Sequence, residues 1–498
     1  MLPGPSASPP HKDFVSRLST EILALIFSLV AARDTSTVPL ENCLLDCHNY
    51  SPKECLVLRQ VCRSWQDVLD PFWYSTLLVQ DGKPKDLQTP DEPVASTSKL
   101  PTLLASLKNR PHLCNYPRKL LVELNEPSYS GDVLDVIRLL PSVRTVTLSA
   151  PQICPASTLL PVLEVIATKE IATFHFHSGP FGSELVEIIR NAFSNVCTLK
   201  SLRFSPSQWV YGQALPPPGD ERQNTARVTN IRFDDVFMPM WARMYFVRWS
   251  ARLEEVSMVL YPPYIEVLEQ FTLEGILITH QRSLKKIVVH CVGPLFTPKK
   301  IPPLQFPDFT CFPGLEELRL PIHSFFLPCG NDEGTENAGI LTPQLASSRL
   351  AAPSLRTLAI DLSQWNDESD DESDDESDPG LTGWDVFCER GLEWMKELIA
   401  LVVLEPNTCH PRSRLERIHL IFTRTADDDT WPWEWFERVA ISARCPGIAL
   451  TYNEPTWPQE RMEEWRKRDA ELKAKLEDTD TKAVPGSGDM FQPISFFM

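Results

Sequence analysis

Between Val143 and Leu420 the chain repeats one arrangement of apolar and polar positions, apolar-x-x-apolar-x-apolar, nine times. The segments are Val143–Leu148, Ile171–Phe176, Leu199–Phe204, Val228–Phe233, Leu253–Met258, Leu284–Val289, Leu315–Leu320, Leu355–Ile360 and Leu415–Leu420. Their starts step by 28, 28, 29, 25, 31 and 31 residues, then by 40 and 60. Period-two alternation at the end of each segment predicts a short strand with one apolar and one polar face. Between several of them apolar residues recur at helical spacing, which predicts helices over Asp132–Leu140, Leu159–Ala167, Ser183–Phe193 and Tyr264–His280.

One L-x-x-L-x-L match is a weak signal, because any half-buried strand can give it. Seven consecutive matches at near-constant spacing are a strong one. The period resembles that of leucine-rich repeats, at or just beyond their usual 20–29 residues. The resemblance implies an α/β solenoid in which each strand sends alternate residues inward and each helix covers the outside, with a concave strand face open to a partner. The asparagine usual in that repeat is mostly missing here, so the repeats are irregular.

A different pattern occupies the N-terminal part. Leu18–Val30 reads L-S-T-E-I-L-A-L-I-F-S-L-V. Ser19 can cap a helix, with Leu18 and Leu23 as its hydrophobic staple. Leu18, Ile22, Ile26 and Leu29 form one apolar stripe and Leu23, Phe27 and Val30 a second, so this helix needs apolar cover on two sides. Ser51-Pro52-Lys53-Glu54 is a capping box that opens a second helix, along which Leu56, Val57, Val61, Trp65 and Val68 recur. Phe72-Trp73 follows.

These residues resemble the F-box, above all in Val61-Cys62-Arg63-Ser64-Trp65. The likeness covers about 60 residues. It departs from the family in Ser19, where a proline is usual, and in a longer loop between the helices. The resemblance implies a small all-α helical hairpin that docks the Skp-type adaptor of a cullin–RING ubiquitin ligase. Carried onto this chain, the adaptor-binding set is Leu18, Ser19, Ile22, Leu23, Ile26, Phe27, Val61 and Trp65, with Val61 and Trp65 closing the hairpin's own core. An F-box followed by leucine-rich repeats implies a substrate-recognition adaptor whose repeats bind a target protein. The alternative is a repeat scaffold that binds proteins outside ubiquitin transfer.

The expected organisation is then a disordered N-terminus (1–13), an F-box domain (14–79), a linker (80–116) with a short helix at Leu100–Leu107, and a repeat array (117–453). The array is interrupted by an insertion at 324–349 and an acidic one at 363–383. A charged helix over Glu460–Leu476 and a tail lie in the final part (454–498).

Composition narrows the function classes. The 45 prolines and 19 glycines favour short elements with stiff connections over a Gly-rich cofactor fold. Net charge is −18, from 48 Lys and Arg against 66 Asp and Glu. Nine of the acids stand in Asn366–Asp378, which charge repulsion keeps from packing. An acidic balance speaks against nucleic acid and anionic membrane as partners. Thirteen cysteines without a C-x-x-C pair fit a reducing cytoplasmic or nuclear compartment. The chain shows no signal-peptide pattern and no apolar run of membrane-spanning length.

The chemical motifs of enzymes are not found: no P-loop, G-x-G-x-x-G, H-E-x-x-H or G-x-S-x-G occurs, so neither catalysis nor a cofactor is expected. Cys43-x-x-x-Cys47-His48 lacks the further ligands a zinc site needs. His175 and His177 flank Phe176 and should share the opposite strand face. Ser369 and Ser373, each followed by three acids, resemble acidophilic casein-kinase-type phosphorylation sites. Trp431, Trp433 and Trp435 form an aromatic cluster that reads either as a recognition surface or as core at the start of a helix.

Overall fold

The computed structural model describes residues 70–71, 74–81, 100–124, 131–150, 156–177, 180–206, 208–210, 223–234, 240–260, 277–291, 308–321, 343–361, 414–421, 449–453 and 459–482, with isolated positions besides. They fall into two compact units: residues 1–229 with 237–251, and residues 230–236 with 252–498.

The first unit is built on parallel strands β1 (Thr76–Asp81), β2 (Lys119–Leu124), β3 (Thr145–Ser149), β4 (Thr173–His177) and β6 (Ser201–Ser205), each paired with the next. Strands β5 (Pro180–Gly182) and β7 (Gln208–Val210) make a separate parallel pair. The helices are α1 (Leu100–Asn109), α2 (Gly131–Leu139), α3 (Ala156–Ala167), α4 (Ser183–Phe193) and α5 (Met240–Trp249). Helices α1 to α4 pack in sequence, each against the next. In α4, Leu185, Val186, Ile189 and Phe193 are buried at helical spacing, and Glu184 in the first turn suits the positive end of the helix dipole.

Consecutive repeats place the same position on the next rung. Leu120, Val146, Phe174 and Leu202 are register partners in one buried row, and Val122, Leu148, Phe176 and Phe204 in the next. At β4 and β6 the filling is aromatic. Phe181 meets Phe176 at 5.1 Å and Phe204 at 5.5 Å between ring centroids, and Phe204 meets Phe246 of α5 at 4.3 Å. Burying each ring contributes about 1.5–3 kcal/mol.

The second unit carries β8 (Asn230–Phe233), β9 (Glu255–Leu260), β10 (Lys286–Cys291), β11 (Glu317–Pro321), β12 (Thr357–Asp361), β13 (Arg417–Ile421) and β14 (Ala449–Tyr452), again parallel and paired in chain order. Its helices are α6 (Pro343–Leu350) and α7 (Gln459–Lys482). Helix α7 packs against the last strand: Tyr452 of β14 lies edge-on to Trp465 at 6.1 Å and donates its hydroxyl to Asp469. Met462, Trp465 and Leu472 form the buried stripe of an otherwise charged helix. Its exposed side shows the i,i+4 pair Glu464–Arg468, and the half-buried Asp469 pairs with the exposed Lys473 as well as Tyr452.

All nine repeat segments therefore end in parallel strands. Three further strands, β1, β2 and β14, join the same ladders without matching the repeat pattern. The helices expected over Asp132–Leu140, Leu159–Ala167 and Ser183–Phe193 form within a few residues of those bounds. Of the one expected over Tyr264–His280, the described residues are Gly275 and 277–280, and they include a short 3-10 helix at Ile278–His280. Within the expected insertion at 324–349 the chain enters helix α6.

A recurring backbone device fixes the spacing. The residue just before most of the strands offers its carbonyl to two successive N–H groups of the next rung. Arg118 O accepts from Arg144 and Thr145, Arg144 O from Ala172 and Thr173, and Ala172 O from Lys200 and Ser201. The second unit repeats it through Glu254, Lys285, Glu316 and Arg356. Two hydroxyls reinforce it from the residue before the first apolar position: Thr198 donates to Ile171 O at 2.8 Å, and Ser283 to Leu253 O at 2.7 Å.

Candidate functional site

Parallel sheets are usually covered on both faces and read as continuous apolar runs. These strands alternate instead, so one face of each ladder is polar. That face is the candidate site, and within each unit the register sets out its side chains in rows.

In the first unit, Leu121, Thr147, His175 and Arg203 stand in one row across β2, β3, β4 and β6. Lys119, Thr145, Thr173 and Ser201 form the row beside it. Leu78 of β1, partnered with Leu121, is 40% exposed, so an apolar pair stands at one end of a hydroxyl-rich face. His175 and His177 do share the face opposite Phe176, with ring centroids 5.5 Å apart. His175 is buried, and its Nε2 lies 3.1 Å from the Ser205 hydroxyl on the next strand.

In the second unit the face is charged and self-paired. Arg319 of β11 contacts the buried Asp361 carboxylate of β12 at 2.5 Å, and His290 Nδ1 of β10 reaches the same oxygen at 3.4 Å. Three strands are thus tied through one carboxylate. His419 of β13 lies 2.9 Å through Nδ1 from the Thr451 hydroxyl of β14. Burial, then the nearby Arg319 and Arg417, hold its pKa below the ordinary histidine value. It is neutral near pH 7.

The start of each strand carries a second pattern. In the second unit the rung residues alternate in sign: Glu254, Lys285, Glu316, Arg356, Glu416. Lys285 Nζ lies 2.9 Å from Glu254 and Lys286 Nζ 2.8 Å from Glu317. The hydrogen bond from Lys285 holds the Glu254 carboxyl below its ordinary pKa. In the first unit the corresponding residues are Ser75, Arg118, Arg144, Ala172 and Lys200.

Among the described residues, no group of three or more His, Cys, Asp or Glu converges as a metal site would require, and no helix is long and apolar enough to cross a membrane. Cys114 and Cys197 are free thiols, and the Cys311 thiol donates to Asp308 O at 2.9 Å.

The residues singled out on the F-box resemblance (Leu18, Ser19, Ile22, Leu23, Ile26, Phe27, Val61 and Trp65) lie outside the described residues. So do Ser369, Ser373, Trp431, Trp433, Trp435 and the Cys43–His48 cluster. Reading by motif missed the Arg319–Asp361–His290 set and the rung charges. The rung charges were open to view as the two x positions of each L-x-x-L, once the segments are stacked rather than read singly. No family model matches this chain, and no curated protein matches it in sequence.

Proposed function

We propose that this chain is a substrate-recognition adaptor of a Skp–cullin–F-box type ubiquitin ligase. Its F-box-like N-terminal part (14–79, of which residues 76–79 lie in β1) docks the Skp-type adaptor, and its leucine-rich-repeat-like array (117–453) binds a target protein. Ubiquitin transfer is then the work of other subunits. The contribution of this chain is to hold the target close, which raises the effective concentration of its lysines at the charged conjugating enzyme. Its place of work is the cytoplasm or nucleus.

The observation that carries this reading is the pairing of two modules in one order. An F-box-like Leu18–Trp73 segment precedes a chain whose nine repeat segments lie on parallel, in-register strands. The alternating strands leave a polar face suited to protein recognition by many small contacts. The adaptor-facing residues of the proposal are Leu18, Ser19, Ile22, Leu23, Ile26 and Phe27, with Val61 and Trp65 supporting them.

The test is affinity capture of the tagged full-length chain from cells in which cullin ligases are trapped in their assembled state. Recovery of both the Skp-type adaptor and a cullin supports the ligase reading. Recovery of neither overturns it and leaves a protein-binding repeat scaffold, the alternative that Ser19 in place of the family's proline keeps open. Adaptor without cullin would place the hairpin's partner outside ubiquitin transfer.

A further inference from the structure

The strand starts of the two units are built from the same four-residue segment but are charged differently. The segment runs from the residue before the first apolar position to the first residue of the strand. In the second unit its described members include Arg252, Lys285, Lys286, Arg356, Arg414 and Arg417, against Glu254, Glu255, Glu316, Glu317 and Glu416. Their signs alternate along the rungs and neutralise one another. In the first unit the described members include Arg118, Lys119, Arg144, Lys200 and Arg227 against Glu170 alone. All five cations are exposed.

Fold stability does not account for that difference. Arg118 and Arg144 occupy the same position on adjacent rungs, joined by the Arg144 N–H donating to Arg118 O at 2.9 Å. Adjacent strands lie about 4.8 Å apart, so like charges there repel. The second unit shows that the same backbone accepts alternating signs. A chain of net charge −18 that gathers five cations against one acid, Glu170, which pairs with Arg144, has placed the excess for something anionic.

We propose that this edge of the first unit is a docking surface for an acidic segment of a partner protein. Two of its cations are already oriented. Arg118 donates through one terminal nitrogen to Ser142 O at 3.3 Å, and Arg144 through one to the Glu170 carbonyl and carboxylate, each at 2.7 Å. Both leave a planar, multi-donor group held over the edge, with less side-chain entropy to lose on binding a carboxylate. Lys119 and Lys200 add mobile point charges on either side. Along the rungs the cations recur at intervals of about 5 and 10 Å, against about 6.6 Å between same-side residues of an extended peptide. A run of consecutive acids satisfies both. Nucleic acid is disfavoured as the occupant, because a long polyanion would meet the repulsion of the whole chain and a short acidic run meets mainly the edge.

The proposal concerns the isolated chain and holds or fails whether or not the N-terminal helices dock a ligase subunit. The experiment is fluorescence anisotropy of full-length protein with a labelled peptide alternating Glu and Asp, its Gln/Asn counterpart, and a single-stranded oligonucleotide of equal length. It is run on the natural chain and on one whose acids in 366–378 are changed to Asn or Gln, so that the chain's own acidic run does not compete. The expected result is salt-sensitive binding of the acidic peptide alone in at least one background. Arg118→Glu, Arg144→Glu and Lys200→Glu together should weaken it about tenfold or more. The same triple variant, if folded by circular dichroism, should instead bind a peptide of alternating Lys and Arg. Should the triple variant misfold, the single changes Arg118→Gln and Lys200→Gln carry the test, each weakening binding. Absence of peptide binding in both backgrounds, binding indifferent to these changes, or preference for the oligonucleotide would overturn the proposal.

Discussion

Lys285 Nζ lies 2.9 Å from Glu254 Oε2, and the two residues hold the same position on consecutive rungs of the second unit. Glu316 follows on the next rung, so the column alternates in sign. The relationship has a measurable consequence. Lys285→Glu should cost about 1 kcal/mol or less through the lost pair, since exposed ion pairs are worth about 0.2–1 kcal/mol, and somewhat more through the new repulsion from Glu254 and Glu316. Adding Glu254→Lys should recover part of the loss. Urea denaturation of the single and double variants measures it. Because the Glu254 carboxyl titrates below its ordinary range, its contribution is present above the unfolded pKa of about 4.3 and disappears as pH falls through the folded value.

The aromatic filling of the first unit predicts a steeper penalty. Phe204 is fully buried and touches both Phe181 and Phe246. Phe204→Ala should destabilise by about 3–5 kcal/mol, and Phe204→Leu by clearly less, because the rings around it cannot close the space a missing phenyl leaves. Chemical denaturation followed by circular dichroism distinguishes the two.

His419 gives the second unit a pH dependence. Its folded pKa lies below the ordinary value, so the unfolded chain binds the proton more readily. Its contribution to stability is complete above about pH 6.5 and is lost as pH falls from there through the folded pKa. His419→Asn should flatten the stability profile between about pH 7 and 5. A series of thermal melts across that range would show equal slopes for both proteins if the account is wrong.

Two thiols should separate by reactivity. Cys114 is buried, and burial raises its pKa, whereas Cys197 is exposed. Since the thiolate is the reacting form, Cys197 should be alkylated well before Cys114 in the native protein. Peptide mass spectrometry of a time course reads the order directly.

The ladders were legible to the extent that each repeat begins with a large aliphatic residue. The three strands that escaped begin otherwise. Tyr74 stands first in the β1 segment, Pro117 in β2 and Gly447 in β14, ahead of Leu77, Leu120 and Leu450. Pro117 is buried, so a proline fills the space that leucine fills elsewhere. Spacing hid them as well, since 43 residues separate Tyr74 from Pro117. The candidate faces were legible only as a period: alternation says which residues share a face. It does not say that Asp361 joins two side chains from different strands, because register across 40 to 70 residues of intervening chain depends on loops whose lengths vary.

The central claim concerns the N-terminal helices, and a reconstitution tests it most directly. The full-length chain is co-expressed with a Skp-type adaptor and passed through size exclusion, beside a variant carrying Leu18→Asp, Ile22→Asp and Ile26→Asp. The account predicts a stoichiometric complex for the natural chain and none for the variant, with the ladder still folded by circular dichroism. A well-folded natural chain that elutes apart from the adaptor would contradict it.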